Sequence, residues 1–449
     1  MPKAEILLIS APGTSPLTDI VNKGVGIIPI GLASIGAVLS ENGYPVETLD
    51  LFSERIDSGA FLRFVQSMRP RMVGISTATE TYSNAMRLAR ICKKADSTIK
   101  VVMGGPHVTF MAQDTLGDPA VDVVVRGEGE FAALELAGYF LRGFGALDRI
   151  RGISYRQDGQ IRNNPARGFV RELDELPFLG RDLFHGNYTI RGHLLTSRGC
   201  PARCIFCSAG AMAGGKYRMR SAESVVDEMV YLQRLGMGDK VKFLDDTLTA
   251  DVERLEQILD LMERLGIQMI WGAESRVDVV TESFLARMAR LGCVSIQFGV
   301  ESGSQEVVDK VGKRISLHKV LFAVECARRV GMHVCCSFII GHPYDTEQTI
   351  KETLDLALRL QNEFSTQVLF SIATPYPGTY LYNHAAKLGL NNLDSNFDNY
   401  NFLNPVFDTN SMTRQQLRNR QFEMMAVLLA QMPKDVQQFY QSQGEAWRL

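Results

Sequence analysis

Three cysteines in the order Cys200-x-x-x-Cys204-x-x-Cys207 are the part of this sequence whose residue types and spacing most directly imply chemistry. Cysteine thiolates are the standard ligands of iron–sulfur clusters. Three of them satisfy three irons of a cubane and leave the fourth open to a substrate or cofactor. A structural zinc site normally takes four protein ligands, and His185 and His193, the nearest histidines, precede the loop instead of following it at finger spacing. Zinc and chance spacing among the eight cysteines are the competing readings.

Carboxylates and an arginine recur downstream, in Phe243-Leu-Asp245-Asp246, Trp271-Gly-Ala-Glu274-Ser-Arg276-Val-Asp278 and Phe298-Gly-Val-Glu301-Ser302-Gly303. Carboxylates can hold an ammonium group or ribose hydroxyls, and Arg276 can hold a carboxylate; salt bridges closing the end of a sheet are the plain alternative. Upstream, Ser76-Thr77-Ala78-Thr79, Gly104-Gly105-Pro106-His107 and Arg126-Gly127-Glu128-Gly129-Glu130 combine glycines, which let backbone approach a ligand closely, with hydrogen-bonding hydroxyls. Any doubly wound domain also needs tight turns, but three such runs together predict a site.

The elements that must position these residues follow from periodicity. Strands are expected at Glu5–Ser10, Val46–Leu49, Met72–Ser76, Lys100–Gly104 and Asp122–Val125, alternating with helices at Ile30–Glu41, Ala60–Met68, Ser83–Lys94 and Glu130–Phe140. That alternation predicts a doubly wound parallel sheet with helices on both faces, and the three upstream runs fall at the carboxyl ends of its strands, where such sheets bind ligands. Residues 149–190 read as a connector: a hairpin around Asp158-Gly159, then an extended, proline-marked linker. A second series follows, with strands at Leu194–Ser197, Lys240–Leu244, Met269–Gly272, Val294–Gly299, Val334–Ile340 and Gln367–Ile372. Helices are expected between them at Ala222–Leu235, Val252–Leu265, Glu282–Arg290, Leu317–Val330 and Thr346–Leu360. Six βα units predict a partial or full barrel with its site in the loops after the strands, and the cysteine loop lies in the first of these. The expected organisation is thus an α/β chain with a ligand-binding domain at 1–148, the connector, a (β/α)6 partial barrel at 191–390 and a helical extension at 391–449.

Composition narrows the function classes. Of the 449 residues 45% are hydrophobic and 22% charged, an ordinary globular balance, and the 48 basic and 50 acidic side chains are interspersed. Nucleic acid is not expected as a partner, because phosphate binding demands a basic excess or stripe. No stretch approaches the roughly 20 apolar residues that span a bilayer, and the opening residues run directly into a strand pattern, so a cytoplasmic protein is expected. Cys92, Cys293, Cys326, Cys335 and Cys336 lie in apolar surroundings and read as reduced, buried thiols.

The cysteine loop, with Phe206 before its last cysteine, resembles that of radical S-adenosylmethionine enzymes. The resemblance implies that Cys200, Cys204 and Cys207 hold a 4Fe-4S cluster whose open iron is chelated by S-adenosylmethionine, with Asp245, Arg276 and Glu301 in the adenosylmethionine pocket. The N-terminal half resembles the cobalamin-binding domain fused ahead of this barrel, through Pro29-Ile-Gly31-Leu-Ala33, Arg71-Met-Val-Gly-Ile-Ser76, Gly104-Gly-Pro-His107-Val-Thr109 and Val124-Val-Arg126-Gly-Glu-Gly-Glu130. With Thr374-Pro-Tyr-Pro-Gly-Thr379, the likeness covers about residues 5–385. It implies cobalamin at Thr77, Thr79, Gly104, Gly105, His107, Gly127, Glu128 and Gly129. The DxHxxG motif that presents a histidine to cobalt is absent, which implies cobalt without a protein histidine below it. The expected activity is transfer of a methyl group from methylcobalamin to an unactivated carbon or phosphinate phosphorus of a small molecule, after hydrogen abstraction by a 5′-deoxyadenosyl radical. Flavodoxin or ferredoxin is the expected kind of electron donor. An oxidative cyclase or ring-rearranging enzyme with the same cofactors is the alternative, and a non-catalytic cobalamin or cluster sensor a remote one. Tyr376, Tyr380, Tyr382, Phe397, Tyr400 and Phe402 form an aromatic group that either lines a substrate pocket or simply packs.

Overall fold

A computed structural model describes residues 4–13, 26–54, 56–186 and 188–431. The chain divides into two compact units, Met1–Arg191 and Gly192–Leu449.

In the first unit, strands β1 (Ile6–Ser10), β2 (Val46–Asp50), β3 (Met72–Ser76), β4 (Lys100–Gly104) and β5 (Val123–Val125) run parallel in the order β2-β1-β3-β4-β5. Their side chains alternate between two layers. Ile6, Leu8, Val102, Val123 and Val125 pack with Leu32, Ala33, Leu136 and Ala137 of helices Ile30–Glu41 and Glu130–Arg142. Leu7, Ile9, Val73, Ile75, Val101 and Met103 pack with Phe61, Val65, Ala85 and Ala89 of helices Ser58–Met68 and Tyr82–Ala95. Because both faces are covered, the strands read as continuous apolar runs.

The expected hairpin forms as β6 (Ile153–Gln157) and β7 (Gln160–Asn163), joined by Asp158 and Gly159, both at positive φ as a two-residue hairpin turn requires. It does not stand apart as a connector. β6 pairs antiparallel with β5, burying Ile153 and Tyr155 and extending the sheet to seven strands. Short helices Pro106–Phe110 and Ala112–Leu116, too brief to show a period in sequence, carry the chain from β4 towards β5.

The second unit begins with β8 (Gly192–Leu194), shorter than expected, because Thr196 and Ser197 turn aside to Asp245 and the chain enters a separate two-stranded ribbon of β9 (Ser197–Arg198) and β10 (Arg218–Met219). Strands β11 (Lys240–Phe243), β12 (Ile270–Ser275), β13 (Cys293–Glu301), β14 (His333–Ile340) and β15 (Gln367–Ile372) complete a parallel six-stranded sheet in sequence order, with β8 and β15 at its two edges. This is the partial form of the barrel. Helices Ala222–Arg234, Val252–Leu265, Glu282–Arg290, Leu317–Arg329 and Glu347–Phe364 alternate with the strands, and their apolar faces share one core with Val241, Phe243, Trp271, Ile296, Phe298, Phe338 and Phe370. Helix Arg414–Ala430 buries Leu417, Gln421, Met424 and Leu428 at helical spacing and is tied to Gln361 through the Leu428 carbonyl. The rest of the expected helical tail, 432–449, lies outside the described residues.

Candidate active site and cofactor loops

The cysteine loop follows β8 and is held from several sides. Asp245, at the end of β11, is 2% exposed and accepts hydrogen bonds from Thr196 N (3.1 Å), Thr196 Oγ1 (2.8 Å) and Ser197 Oγ. Arg254 adds a bond from Nη2 to Thr196 Oγ1 at 2.9 Å, and Arg220 N reaches the Thr196 carbonyl at 2.9 Å. Beyond Cys204, Ile205 N donates to Val311 O and Leu381 N donates to Ile205 O, both at 2.9 Å. The Phe206 ring packs on buried His342 at 5.5 Å between centroids. A loop bonded to four distant segments keeps its shape without relying on its own sequence.

Cys200 is half-buried, with Sγ 3.5 Å from Thr247 Oγ1, and Cys204 Sγ lies 3.9 Å from the Gly312 carbonyl. Burial pushes the Cys204 thiol up to about 11, with Lys313 pulling against it, and burial also raises Cys207. All eight cysteines are free thiols. Among the described residues no three histidine, cysteine or carboxylate side chains converge on a single ion.

The residues expected in the adenosylmethionine pocket divide by role. Asp245 has both oxygens engaged with Thr196 and Ser197, so its carboxylate holds the cysteine loop and does not face outward, a correction to the role expected of it. Its neighbour Asp246 is the exposed one, and accepts from the Gly199 backbone N–H. Arg276 clamps Asp278 through Nε and Nη2 at 3.0 and 2.8 Å and reaches the Lys313 carbonyl at 3.1 Å. Glu301 is 6% exposed, pairs with Lys313 Nζ at 2.7 Å, and sits at φ +73 where the β13–β14 register slips. A non-glycine residue in this region stores strain of order 1–3 kcal/mol, typical of functional positions. Glu274 projects from β12 with its carboxyl raised by burial, partly offset by Lys242. Lys313, Thr247 and Gly312 were not legible beforehand, because they lie in loops and owe their importance to distant partners.

In the first unit the three expected loops come together. Thr77 N donates to Gly104 O at 3.0 Å and Gly127 N donates to Thr109 Oγ1 at 3.0 Å. The side chains of Thr77, Thr79 and His107 turn inward, contrary to the expectation of hydroxyls offered to a ligand. Thr77 Oγ1 bonds Ala78 O and Thr81 Oγ1, while Thr79 Oγ1 meets His107 Nδ1 at 3.2 Å. His107 packs on Tyr82 at 4.2 Å, and burial lowers its imidazole to about 4, so it is neutral. What faces outward is backbone. Gly127 at φ +84 has nothing within 4 Å of where a Cβ would stand, and at Gly104 the nearest atom is 4.0 Å away. Gly105 at φ +105 lies so close to Thr77 that a Cβ would sit 2.6 Å from its carbonyl oxygen. Glu128 accepts from Val170 N at 2.8 Å and Gly129 caps helix Glu130–Arg142. Bare backbone at the carboxyl ends of β4 and β5 fits a large, flat ligand such as a corrin. Sequence reasoning missed Glu80, beside Thr79, whose carboxyl burial raises to about 7.

The aromatic group mostly packs: Tyr400 is buried with its hydroxyl on Asp394 O at 2.7 Å, and Tyr380 stacks on His384 at 3.9 Å.

Both parts of the chain are similar to known families. The Radical SAM superfamily model matches residues 194–357 and the B12 binding domain model matches 19–137. The uncharacterized methyltransferase PH0819 of Pyrococcus horikoshii is 33% identical over 419 residues, covering 92% of this chain and 90% of its own. The hopanoid C-3 methylase of Methylococcus capsulatus is 30% identical over 368 residues, covering 78% of this chain and 67% of its own. In fold, the chain is similar to the radical S-adenosylmethionine methyltransferase TsrM from Kitasatospora setae, solved with cobalamin and a [4Fe-4S] cluster (TM-score 0.69, 20% identity, 86% of this chain and 75% of that one). The chain belongs to the cobalamin-dependent radical S-adenosylmethionine methyltransferase family. A 4Fe-4S cluster, S-adenosylmethionine and cobalamin are accordingly its cofactors. No helix among the described residues is long and apolar enough to cross a membrane.

Proposed function

We propose that this enzyme methylates an unactivated carbon or a phosphinate phosphorus of a small molecule. The observation that carries the reading is a three-cysteine loop, anchored at the carboxyl end of a partial barrel, in a chain that also has a B12-binding domain with backbone-lined loops. When bound, the cofactors supply one-electron cleavage of S-adenosylmethionine to a hydrogen-abstracting adenosyl radical and a cobalt-held methyl group for transfer. Cys200, Cys204 and Cys207 hold the cluster. Asp246 and Glu274 are the carboxylates placed to take the ammonium or ribose of S-adenosylmethionine, and Arg276 and Lys313 hold positive charge for its carboxylate. The backbone at Gly104 and Gly127 meets the corrin, while Thr77, Thr79 and His107 keep those loops in shape. Electrons come from a small donor of the flavodoxin or ferredoxin kind, in the cytoplasm, where eight unpaired thiols persist.

A second reading keeps the cofactors and omits methyl transfer. The anaerobic magnesium-protoporphyrin IX monomethyl ester cyclase of Rubrivivax gelatinosus is 26% identical over 405 residues, covering 87% of this chain and 72% of its own. Anaerobic reconstitution with iron, sulfide, cobalamin, reductant and S-adenosylmethionine separates the two. A methyltransferase forms deoxyadenosine and S-adenosylhomocysteine, and a cyclase forms deoxyadenosine alone. Replacing the three cysteines with Ala abolishes the cluster and the deoxyadenosine. A wild-type protein that binds zinc and lacks iron–sulfur absorbance would overturn both readings.

A further inference from the structure

Two uncompensated cations lie at the surface of the second unit, next to the cysteine loop. Arg203, the residue before Cys204, and Arg314 are both exposed. Gly312 brings their segments together: it stands at φ +78 with its would-be Cβ 2.8 Å from the Arg203 carbonyl oxygen, and Ile205 N donates to Val311 O at 2.9 Å. A side chain at 312 would hold the two segments apart. The anions of the same stretch are already engaged. Glu301 pairs with Lys313 at 2.7 Å, Glu306 with Lys310 at 2.5 Å and Asp278 with Arg276 at 2.8 Å. Asp309 is held by Gln305 Nε2 at 3.0 Å and not by a cation, but one carboxylate does not balance two guanidinium groups. Among the described residues neither Arg203 nor Arg314 forms an ion pair or a side-chain hydrogen bond.

An unpaired surface arginine is ordinary by itself. What sets this pair apart is its place, because Arg203 is joined by one peptide bond to Cys204, and a protein seated on it is one residue from a cluster ligand. Electron-transfer encounters are brief, bury little area, and depend on complementary charge for steering and orientation. We propose that Arg203 and Arg314 form the docking surface for a small acidic one-electron carrier protein, which delivers its electron to the cluster past Cys204. One electron leaves the carrier and enters the cluster, and no covalent bond forms or breaks in that step. The inference rests on the reading that Cys200, Cys204 and Cys207 hold a 4Fe-4S cluster, and it assigns the surface and the charge of the partner, which that reading leaves open.

The test uses the full chain, reconstituted anaerobically with iron, sulfide and cobalamin and supplied with S-adenosylmethionine. Deoxyadenosine formation is driven either by flavodoxin kept reduced with its reductase and NADPH, or by dithionite, which is small enough to need no docking surface. Arg203→Glu/Arg314→Glu is measured beside Arg314→Glu alone, because residue 203 lies inside the cysteine loop, and iron and sulfide per chain are read for each. Like charges facing one another across an interface oppose association, so the double variant is expected to raise the KM for flavodoxin at least ~10-fold and Arg314→Glu ~3-fold. Dithionite-driven formation per cluster should stay at the wild-type rate. Raising salt from ~0.05 to ~0.5 M should slow the flavodoxin-driven reaction of the wild type and not that of the double variant. An unchanged KM for flavodoxin in both variants, at full iron, would refute the inference. So would a wild type that turns over with dithionite but takes no electron from flavodoxin, and so would a loss of both reactions in step with iron content in both variants, which would make the arginines supports of the loop. A wild-type protein that forms no cluster, and no deoxyadenosine with either reductant, would instead refute the reading beneath it.

Discussion

Asp245→Asn distinguishes a carboxylate that holds the loop from one that binds the cofactor. In the wild type both carboxylate oxygens accept from Thr196 and Ser197, and Arg254 bonds the same Thr196 hydroxyl. Asparagine keeps one accepting oxygen and replaces the other with an NH2 group directed at donors. At least one charge-assisted hydrogen bond is lost, worth ~1.5–3 kcal/mol, and a buried donor is left unsatisfied at ~1–3 kcal/mol. A total of ~3 kcal/mol corresponds to roughly two orders of magnitude in the population of the ordered loop. The substitution should therefore lower iron and sulfide per chain and the iron–sulfur absorbance after anaerobic reconstitution, although all three cysteines are intact. Deoxyadenosine formation should fall in proportion to cluster content. A variant that holds wild-type iron and sulfide but binds S-adenosylmethionine more weakly would refute the positioning argument and restore Asp245 as a ligand to the cofactor.

In the cobalamin domain, Gly105→Ala forces both an unfavourable φ and a Cβ 2.6 Å from Thr77 O, and should destabilise the unit by ~3 kcal/mol or more, read as a lower Tm. Gly127→Ala meets no atom within 4 Å, so it should cost only ~1–2 kcal/mol of backbone strain yet weaken cobalamin retention on gel filtration if this backbone faces the corrin; unchanged retention would count against that placement. His107 is neutral in the fold, lowered to about 4 by burial from an unfolded value near 6.5. Its contribution is thus complete above pH 6.5 and lost as the pH falls towards 4, ~3 kcal/mol in all. Hydrogen-exchange protection of peptides spanning residues 100–116, taken relative to the intrinsic exchange rate at each pH, should weaken between pH 7.5 and 4.5 more steeply in the wild type than in His107→Gln, and equal slopes would show that the imidazole is not the responsible group.

Local pattern alone determined the alternation of strands and helices and the two βα series, and singled out Cys200, Cys204 and Cys207 as the proposed cluster ligands, because periodicity and spacing express themselves within a few turns of chain. It also located the loops at Thr77, Gly104 and Gly127, since positions after strands follow from the strands themselves. Tertiary structure decided what each side chain does there. Which of Asp245 and Asp246 faces inward depends on where β8 stops, and β8 stops because Thr196, 49 residues away in sequence, bonds Asp245. The inward turn of Thr79 requires His107 from another strand end, and the hairpin joins the first sheet because β5 has an open edge to cover. Gly312 and Lys313 acquire their place beside Cys204 only when a segment 108 residues distant packs against it. Composition and spacing show which chemistry a chain can carry; the assignment of a carboxylate or cation to a role depends on register and long-range packing, which the residues on either side of it do not encode.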